Sequence, residues 1–424
     1  MGGGGAIGSG GAAPTTGGTS GSGSGGPAGT GGASTGGGRI YYVTPTGRSS
    51  NDGESYATAV DFATAHAAVV PGDAISMQAG TYSIAYQPGA KNTLTFSKVG
   101  TAAKPILVYG DGGHAIFDFS FPEQQWVQDA VGFMVTGSYW TFRAIAITRA
   151  GYQGAYVTGQ HNTFENCSFH DNRNTGLEIN EGGAYTTVIN CDAYRNYDPK
   201  KSGGMADGFA PKQTQGPGNR LVGCRAWENS DDGFDTFDSP ENVVIENCWA
   251  FRNGVDVWNY GGFDGNGNGF KLGGNAAQAN PTVTNSVAFD NRVKGFDQNN
   301  NRGGITVYNS TAYQNGTNFG LGGALNAGQK HDLKNNISVG SKSADAYGSN
   351  TTQTNNSWQS GLTAAASDFA SVDTALAEGG RAPDGTLPPN NLFRLKSGSR
   401  LIDAGIDVGL PFKGSAPDLG AFEN

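Results

Sequence analysis

One heptapeptide frame recurs along this chain and restricts its fold more than any other feature. NCSFHDN starts at Asn166, NCDAYRN at Asn190, GCRAWEN at Gly223, NCWAFRN at Asn247, NSVAFDN at Asn285 and NSTAYQN at Asn309. The starts lie 24, 33, 24, 38 and 24 residues apart, a unit near 24 residues with two insertions. A unit that short cannot bury an apolar face alone, so copies must stack to make a continuous core. Within each frame the Cys or Ser slot and the Phe or Ala slot two residues later fall on one strand face. The expected fold is all-β: a right-handed single-stranded parallel β-helix with end caps. Composition agrees, since Gly supplies 70 of 424 residues and only 36% are hydrophobic. Gly is costly inside helices but suits short strands joined by tight turns.

Cys167, Cys191, Cys224 and Cys248 sit in this frame, and their spacing matches no zinc site. They are expected as a buried ladder of small side chains, with a bridge between adjacent coils left open. The recurring asparagine from Asn166 to Asn309 is expected to stack at a turn, each amide bonding its neighbours. Coils are expected to begin near Ile106 and Ala115. Before them, YYVTPTG from Tyr41 reads as a strand and turn. The run from Ser55 to Asp73 reads as a short amphipathic helix ending at a Pro-Gly turn. Such a segment would cap the open sheet edge of a solenoid. After Gly320 the pattern loosens; the stretch from Ala366 is partly helical, and LIDAGIDVG and LGAFEN are expected to cap the last coils. Residues 1–38, almost only Gly, Ser, Thr, Ala and Pro, read as a flexible linker to a further module, and residues 39–424 as one folded domain.

Lys and Arg number 27 against 36 Asp and Glu, so the net charge of −9 opposes nucleic acid binding. No apolar run reaches the roughly 18 residues of a membrane span. An anionic polymer remains an acceptable partner if a metal reverses the sign locally.

A second column carries the chemistry. TGLEI begins at Thr175, DGFAPK at Asp207, DDGFDTF at Asp231, NGFKLGG at Asn268 and KGFDQN at Lys294. Counted from the Gly, Asp207 and Asp232 share the slot before it, while Asp235 and Lys271 share the slot two residues after it. Glu178 and Asp297 fill the latter slot on other coils. Asp207, Asp231, Asp232 and Asp235 should therefore converge, and a hard cation such as Ca²⁺ would relieve their repulsion. The plainer alternative is a set of solvated turn aspartates. Lys271, one coil from Asp235, is then a candidate general base. Insertions at 197–206 and 254–268 are expected to wall a groove. Trp258 and Tyr260 could pack on a sugar there. Lys200, Lys201, Lys212, Arg149, Lys294 and Arg302 are candidate carboxylate clamps, although solvent decoration is the simpler reading of each one taken alone.

GGRIYYVTPTG, MADGFAPKQ, ENSDDGFDTFDS and GNGFKLGG resemble the family 9 pectate lyases, from about Gly38 to Gly320. The resemblance implies one Ca²⁺ held by four aspartates, matching Asp207, Asp231, Asp232 and Asp235. It also implies a lysine base, matching Lys271, and β-elimination of polygalacturonate by a secreted, extracellular enzyme, here expected to be a monomer. Other pectic backbones such as rhamnogalacturonan stay open. Two competing readings use the same fold: a pectin-directed glycoside hydrolase, and a noncatalytic polysaccharide-binding β-helix. The first leaves Lys271 without a role and crowds too many acids together; the second would retain polymer but release no new reducing ends.

Overall fold

Each repeat lays down three short strands, and each strand pairs in parallel with its counterpart one repeat on. Thr163–Glu165, Ser168–His170 and Leu177–Ile179 pair with Thr187–Ile189, Asp192–Tyr194 and Phe209–Pro211. This computed structural model describes residues 37–359 and 361–424, so nearly all of the expected linker lies outside the described residues. Three parallel ladders result, and they form a right-handed β-helix, the hand that parallel crossovers favour. The first two ladders merge into one sheet because Ala74–Ser83 and Ile106–Asp118 are long enough to belong to both. The third is a separate sheet of nine strands.

Coils begin earlier than Ile106. Ile40–Val43 already pairs with Ala74–Ser83, which pairs with Ile106–Asp118 across a register shift between Gln78 and Gly80. That irregularity obscures the repeat in the sequence. The expected helix from Ser55 shrinks to Phe62–Ala68, preceded by a single 3-10 turn at Tyr56–Thr58. The Asp61 carboxylate starts the helix by accepting from Thr64 N at 2.7 Å. Phe62 then packs edge-on against Phe117 at 4.9 Å and tilted against Phe96 at 6.3 Å, where the helix covers the core.

The four cysteines are buried, free thiols. Their slot is a hydrogen-bonding column as well as a packing one. Cys167 N donates to Cys191 Sγ at 3.3 Å and Cys224 N to Cys248 Sγ at 3.4 Å. Serine then takes over, with Cys248 N donating to Ser286 Oγ at 3.1 Å and Ser286 N to Ser310 Oγ at 3.2 Å.

The asparagine expectation needs a correction of position. The column from Asn166 to Asn309 forms no continuous amide ladder, although Asn309 Oδ1 accepts from Asn335 Nδ2 at 2.9 Å; its asparagines hold left-handed turns at φ 45° to 52°, and Gly223 occupies the same slot at φ 66°. Asn tolerates that conformation better than most residues. The amide ladder runs instead on the last residue of each heptapeptide. From Asn172 through Asn196, Asn229, Asn253 and Asn291 to Asn315, each Nδ2 donates to the next Oδ1 at 2.8–3.1 Å. All six are fully buried, so every amide left unpaired would cost the full desolvation of a polar group.

The C-terminal segment covers more than the last coils. Strands of the second ladder carry apolar residues on both faces: Ala226, Ala250 and Ala288 point into the helix, while Trp227, Trp249, Phe251 and Phe289 point out. The returning chain buries that outer face with Phe369, Leu392, Phe393, Leu395, Leu401 and Leu419. Arg225 and Arg381 lock it down by both pairing with Asp192, at 2.8 and 2.6 Å. At the far end of the coil stack, Trp358 packs on Phe319 at 5.0 Å and on Tyr347 at 4.3 Å. No helix among the described residues is long and apolar enough to cross a membrane.

Candidate active site

Alternation on the third ladder decides which residues reach the surface. Phe209, Phe234, Phe270, Phe296 and Phe319 stack inside the coil with centroids 5.4, 4.8, 5.0 and 5.0 Å apart. With each Phe driven inward, the following residue must point out. Asp235, Lys271 and Asp297 are in register on the outer face. Further up the same column stand Tyr156, Glu178 and Ala210.

Asp207 and Asp232 enter at the turn before this ladder. Gly208 N donates to Asp232 O at 2.9 Å, and Asp232 N donates to Asp207 Oδ1 at 3.2 Å, which places one carboxylate above the other. Oxygens of Asp207, Asp232 and Asp235 lie within 4.8 Å of one another. The fourth expected ligand, Asp231, is buried beside them but stands outside that close group; its Oδ1 accepts from Asn266 N at 2.8 Å. The second insertion thus closes onto the pair, with Asn268 N and Nδ2 also donating to Asp232 Oδ1 at 2.7 and 2.8 Å.

Two ammonium groups flank the carboxylates. Lys271 Nζ lies 2.9 Å from Asp232 Oδ2 and 3.5 Å from Asp235 Oδ1. Lys212 Nζ lies 2.8 Å from Asp207 Oδ2 and 3.5 Å from Asp235 Oδ2. Lys212 is the neighbour of the carboxylates that the sequence left undistinguished among six basic residues. Its only signal was the position five residues after Asp207, just past the strand.

Electrostatics at the site are those of buried acids. Burial pushes the Asp235 carboxyl up to about 7, with Lys271 and Lys212 opposing the rise and Asp207 adding to it. Burial also raises Asp231 and Asp232, and the neighbouring carboxylates add to both. Burial alone would lower the pKa of Lys271, but Asp235, Asp232, Asp207 and Asp231 outweigh it and hold the ammonium well above its ordinary range. Four carboxylates and two ammonium groups leave a formal charge of 2 − 4 = −2 in one buried patch. A divalent cation with a preference for oxygen would balance that charge. Asp232 Oδ2 points the same way, because it is buried with no aligned hydrogen-bond donor and has only the Lys271 charge beside it. The residues present fit Ca²⁺, which accepts irregular all-oxygen geometry.

The two insertions meet each other where Asp264 N donates to Ser202 O at 2.8 Å. Trp258 and Tyr260 pack on Tyr197 at 5.0 and 5.2 Å, and Tyr260 donates to Glu123 at 2.6 Å. Of the other candidate clamps, Arg149 pairs with Asp118 and Lys294 with Asp297. Lys200 sits over Trp126 at 4.4 Å, Lys201 is exposed, and Arg302 donates to Ala324 O at 3.2 Å. None of these five joins the aspartate group.

Comparison with known proteins gives a consistent result. Residues 41–356 match the family described as Pel9A-like, right handed beta helix region. A pectate lyase L of Dickeya dadantii is 61% identical over 387 residues, covering 91% of this chain and 90% of the relative. A pectate lyase L of Paenibacillus polymyxa is 31% identical over 395 residues, covering 87% and 84%. The crystal structure of pectate lyase Pel9A superimposes with a TM-score of 0.89 at 60% identity, covering 92% of this chain and 98% of that one. A rhamnogalacturonan lyase structure gives 0.73 at 30% identity, covering 85% and 97%.

Proposed function

The chain belongs to the Pel9A-like right-handed β-helix family, the family 9 pectate lyases, and from that premise we propose that it cleaves polygalacturonate by calcium-dependent β-elimination with Lys271 as the base. The observation that carries this reading is the register of Lys271 with Asp235, beside three carboxylates whose oxygens lie within 4.8 Å of one another. Asp207, Asp232 and Asp235 would hold the calcium, with Asp231 completing the set. Bound there, calcium supplies positive charge for the uronate carboxylate, where negative charge develops as the C5 proton leaves.

Lys271 takes that C5 proton onto Nζ. The electron pair left on C5 forms the C4–C5 double bond, and the C4 glycosidic oxygen departs with its pair and is protonated by water. Lysine must be neutral to act, and with its pKa held up by carboxylates it is neutral in quantity only at alkaline pH or once those carboxylates are shared with a cation. A hydrolase acting through two carboxylates would leave Lys271 unused. We further propose that residues 39–424 form the catalytic domain of a monomeric enzyme that works outside the cell.

The test is the ultraviolet absorbance of unsaturated product ends, followed on polygalacturonate and on rhamnogalacturonan, with calcium and with chelator. Absorbance that grows on polygalacturonate only with calcium is the expected result. New reducing ends without absorbance would establish hydrolysis and sink the proposal.

A further inference from the structure

Upstream of the aspartates, on the outer face of the third ladder, lies a cavity of about 390 Å³. Tyr156 and Glu178 line it from the same outward column that continues to Asp235 and Lys271. Between them the column holds only the small side chain of Ala210, and Lys212 lies against both the cavity and the carboxylates. Lys212 is also the one cation in the cavity lining, which otherwise carries Asp129, Glu178 and Glu181. Of the charged groups in this lining only Lys212 attracts an anionic sugar, among neutral polar side chains such as Asn180 and Gln213.

Resting on the metal-dependent reading above, we propose that Lys212 is the carboxylate-binding residue of a uronate subsite in this cavity, released from Asp207 and Asp235 when a divalent cation takes their oxygens. The cation and the ammonium compete for the same two carboxylates, and once the cation is bound the two positive charges repel at short range. The lysine stem is flexible, with the charge at its tip, so it can turn from the aspartates into the adjoining cavity. There a substrate carboxylate replaces the partner it has lost. Lys212 thereby couples metal binding to uronate binding without taking part in proton transfer.

Lys212→Met tests this, because it keeps the length and removes the charge. Calorimetry with calcium alone should show binding tightened on the order of tenfold, since the competing ammonium is gone. On polygalacturonate, KM should rise on the order of tenfold while kcat changes by less than about threefold. Equilibrium binding of highly methyl-esterified pectin, which offers few carboxylates, should be the same in Lys212→Met and the wild type. Lys212→Arg should restore KM to within about threefold, because guanidinium also binds carboxylates. Unchanged or weakened calcium binding in Lys212→Met, or an equal loss of binding to polygalacturonate and to methyl-esterified pectin, would overturn the proposal. So would a lowered Tm of the calcium-loaded variant with KM unaltered, the mark of a purely structural lysine. Wild-type protein that neither binds calcium nor eliminates would instead remove the reading beneath it.

Discussion

Lys271 and Asp235 are Cα partners on adjacent parallel strands, and the Lys271 ammonium reaches back across that pairing to lie 3.5 Å from Asp235 and 2.9 Å from Asp232. The same lysine proposed to take a proton is therefore the counterion of the proposed metal ligands, so a change at the base also changes the charge at those ligands.

Replacing the base should separate the two roles. In Lys271→Ala, elimination should fall at least about a hundredfold, within the range general-base catalysis contributes. Calcium affinity should hold or rise, because an ammonium within 2.9 Å of a ligand is removed. Lys271→Arg should rescue poorly, since guanidinium stays protonated. Rates and calcium isotherms measured on the same preparations decide this, and retained activity in Lys271→Ala would exclude the residue as base.

Removing the central carboxylate should cost both metal and activity. Asp232 is fully buried, with Lys271, Asp207 and Asn268 around it, so Asp232→Ala leaves no oxygen at the centre of the group. Calcium at a hundred times its Kd should stabilise the wild type by about 2.7 kcal/mol and the variant hardly at all. Thermal unfolding with and without calcium measures the difference, and an equal shift in both proteins would place the metal elsewhere.

Acid sensitivity should trace in part to His331. The ring is 1% exposed, Nδ1 accepts from Ile305 N at 3.0 Å, and Nε2 faces Gln298 Oε1 at 3.4 Å. Protonating Nδ1 would turn that acceptor into a donor facing a donor. Burial lowers the pKa from 6.5 to about 4. The unfolded chain therefore binds the proton more readily, so the stabilisation is present above about pH 6.5 and is lost as pH falls through about 4, on the order of 3 kcal/mol. Urea unfolding of His331→Gln across that window should give a shallower fall than the wild type. Parallel curves would show that His331 does not titrate in this way.

The two asparagine columns should respond unequally to substitution. Asn253→Ala strips Asn229 N and Nδ2 of their acceptor and removes bonds to Ala226 O and Asn291, inside the protein. A loss of roughly 2–4 kcal/mol follows from the buried groups left unpaired. Asn247→Gly, at an exposed turn with φ 51°, should change stability by less than about 1 kcal/mol, as Gly223 already fills that slot. Equal costs in the two variants would contradict the division of roles.

The repeat spacing alone dictated stacked coils, because units of about 24 residues have no other way to bury Phe, Cys and Ala at fixed offsets. Counting from the Gly of each DGF or NGF likewise put Asp207 with Asp232 and Asp235 with Lys271, since a period-two strand leaves one choice once each Phe is inside. Several features lay beyond such counting. The amide ladder runs on Asn172 to Asn315, although both asparagine columns repeat equally well; one lies inside the coil and the other on a left-handed turn, a difference of backbone φ that no spacing encodes. The C-terminal chain lies along the second ladder because Trp249, Phe251 and Phe289 need cover, and the residues from Phe369 onward that supply it are at least 80 positions away. Lys212 stood in the sequence as one of several scattered cations. Only the turn beyond its strand and the small Ala210 bring its amine 2.8 Å from Asp207, because the reach of a long side chain is decided by what packs around it.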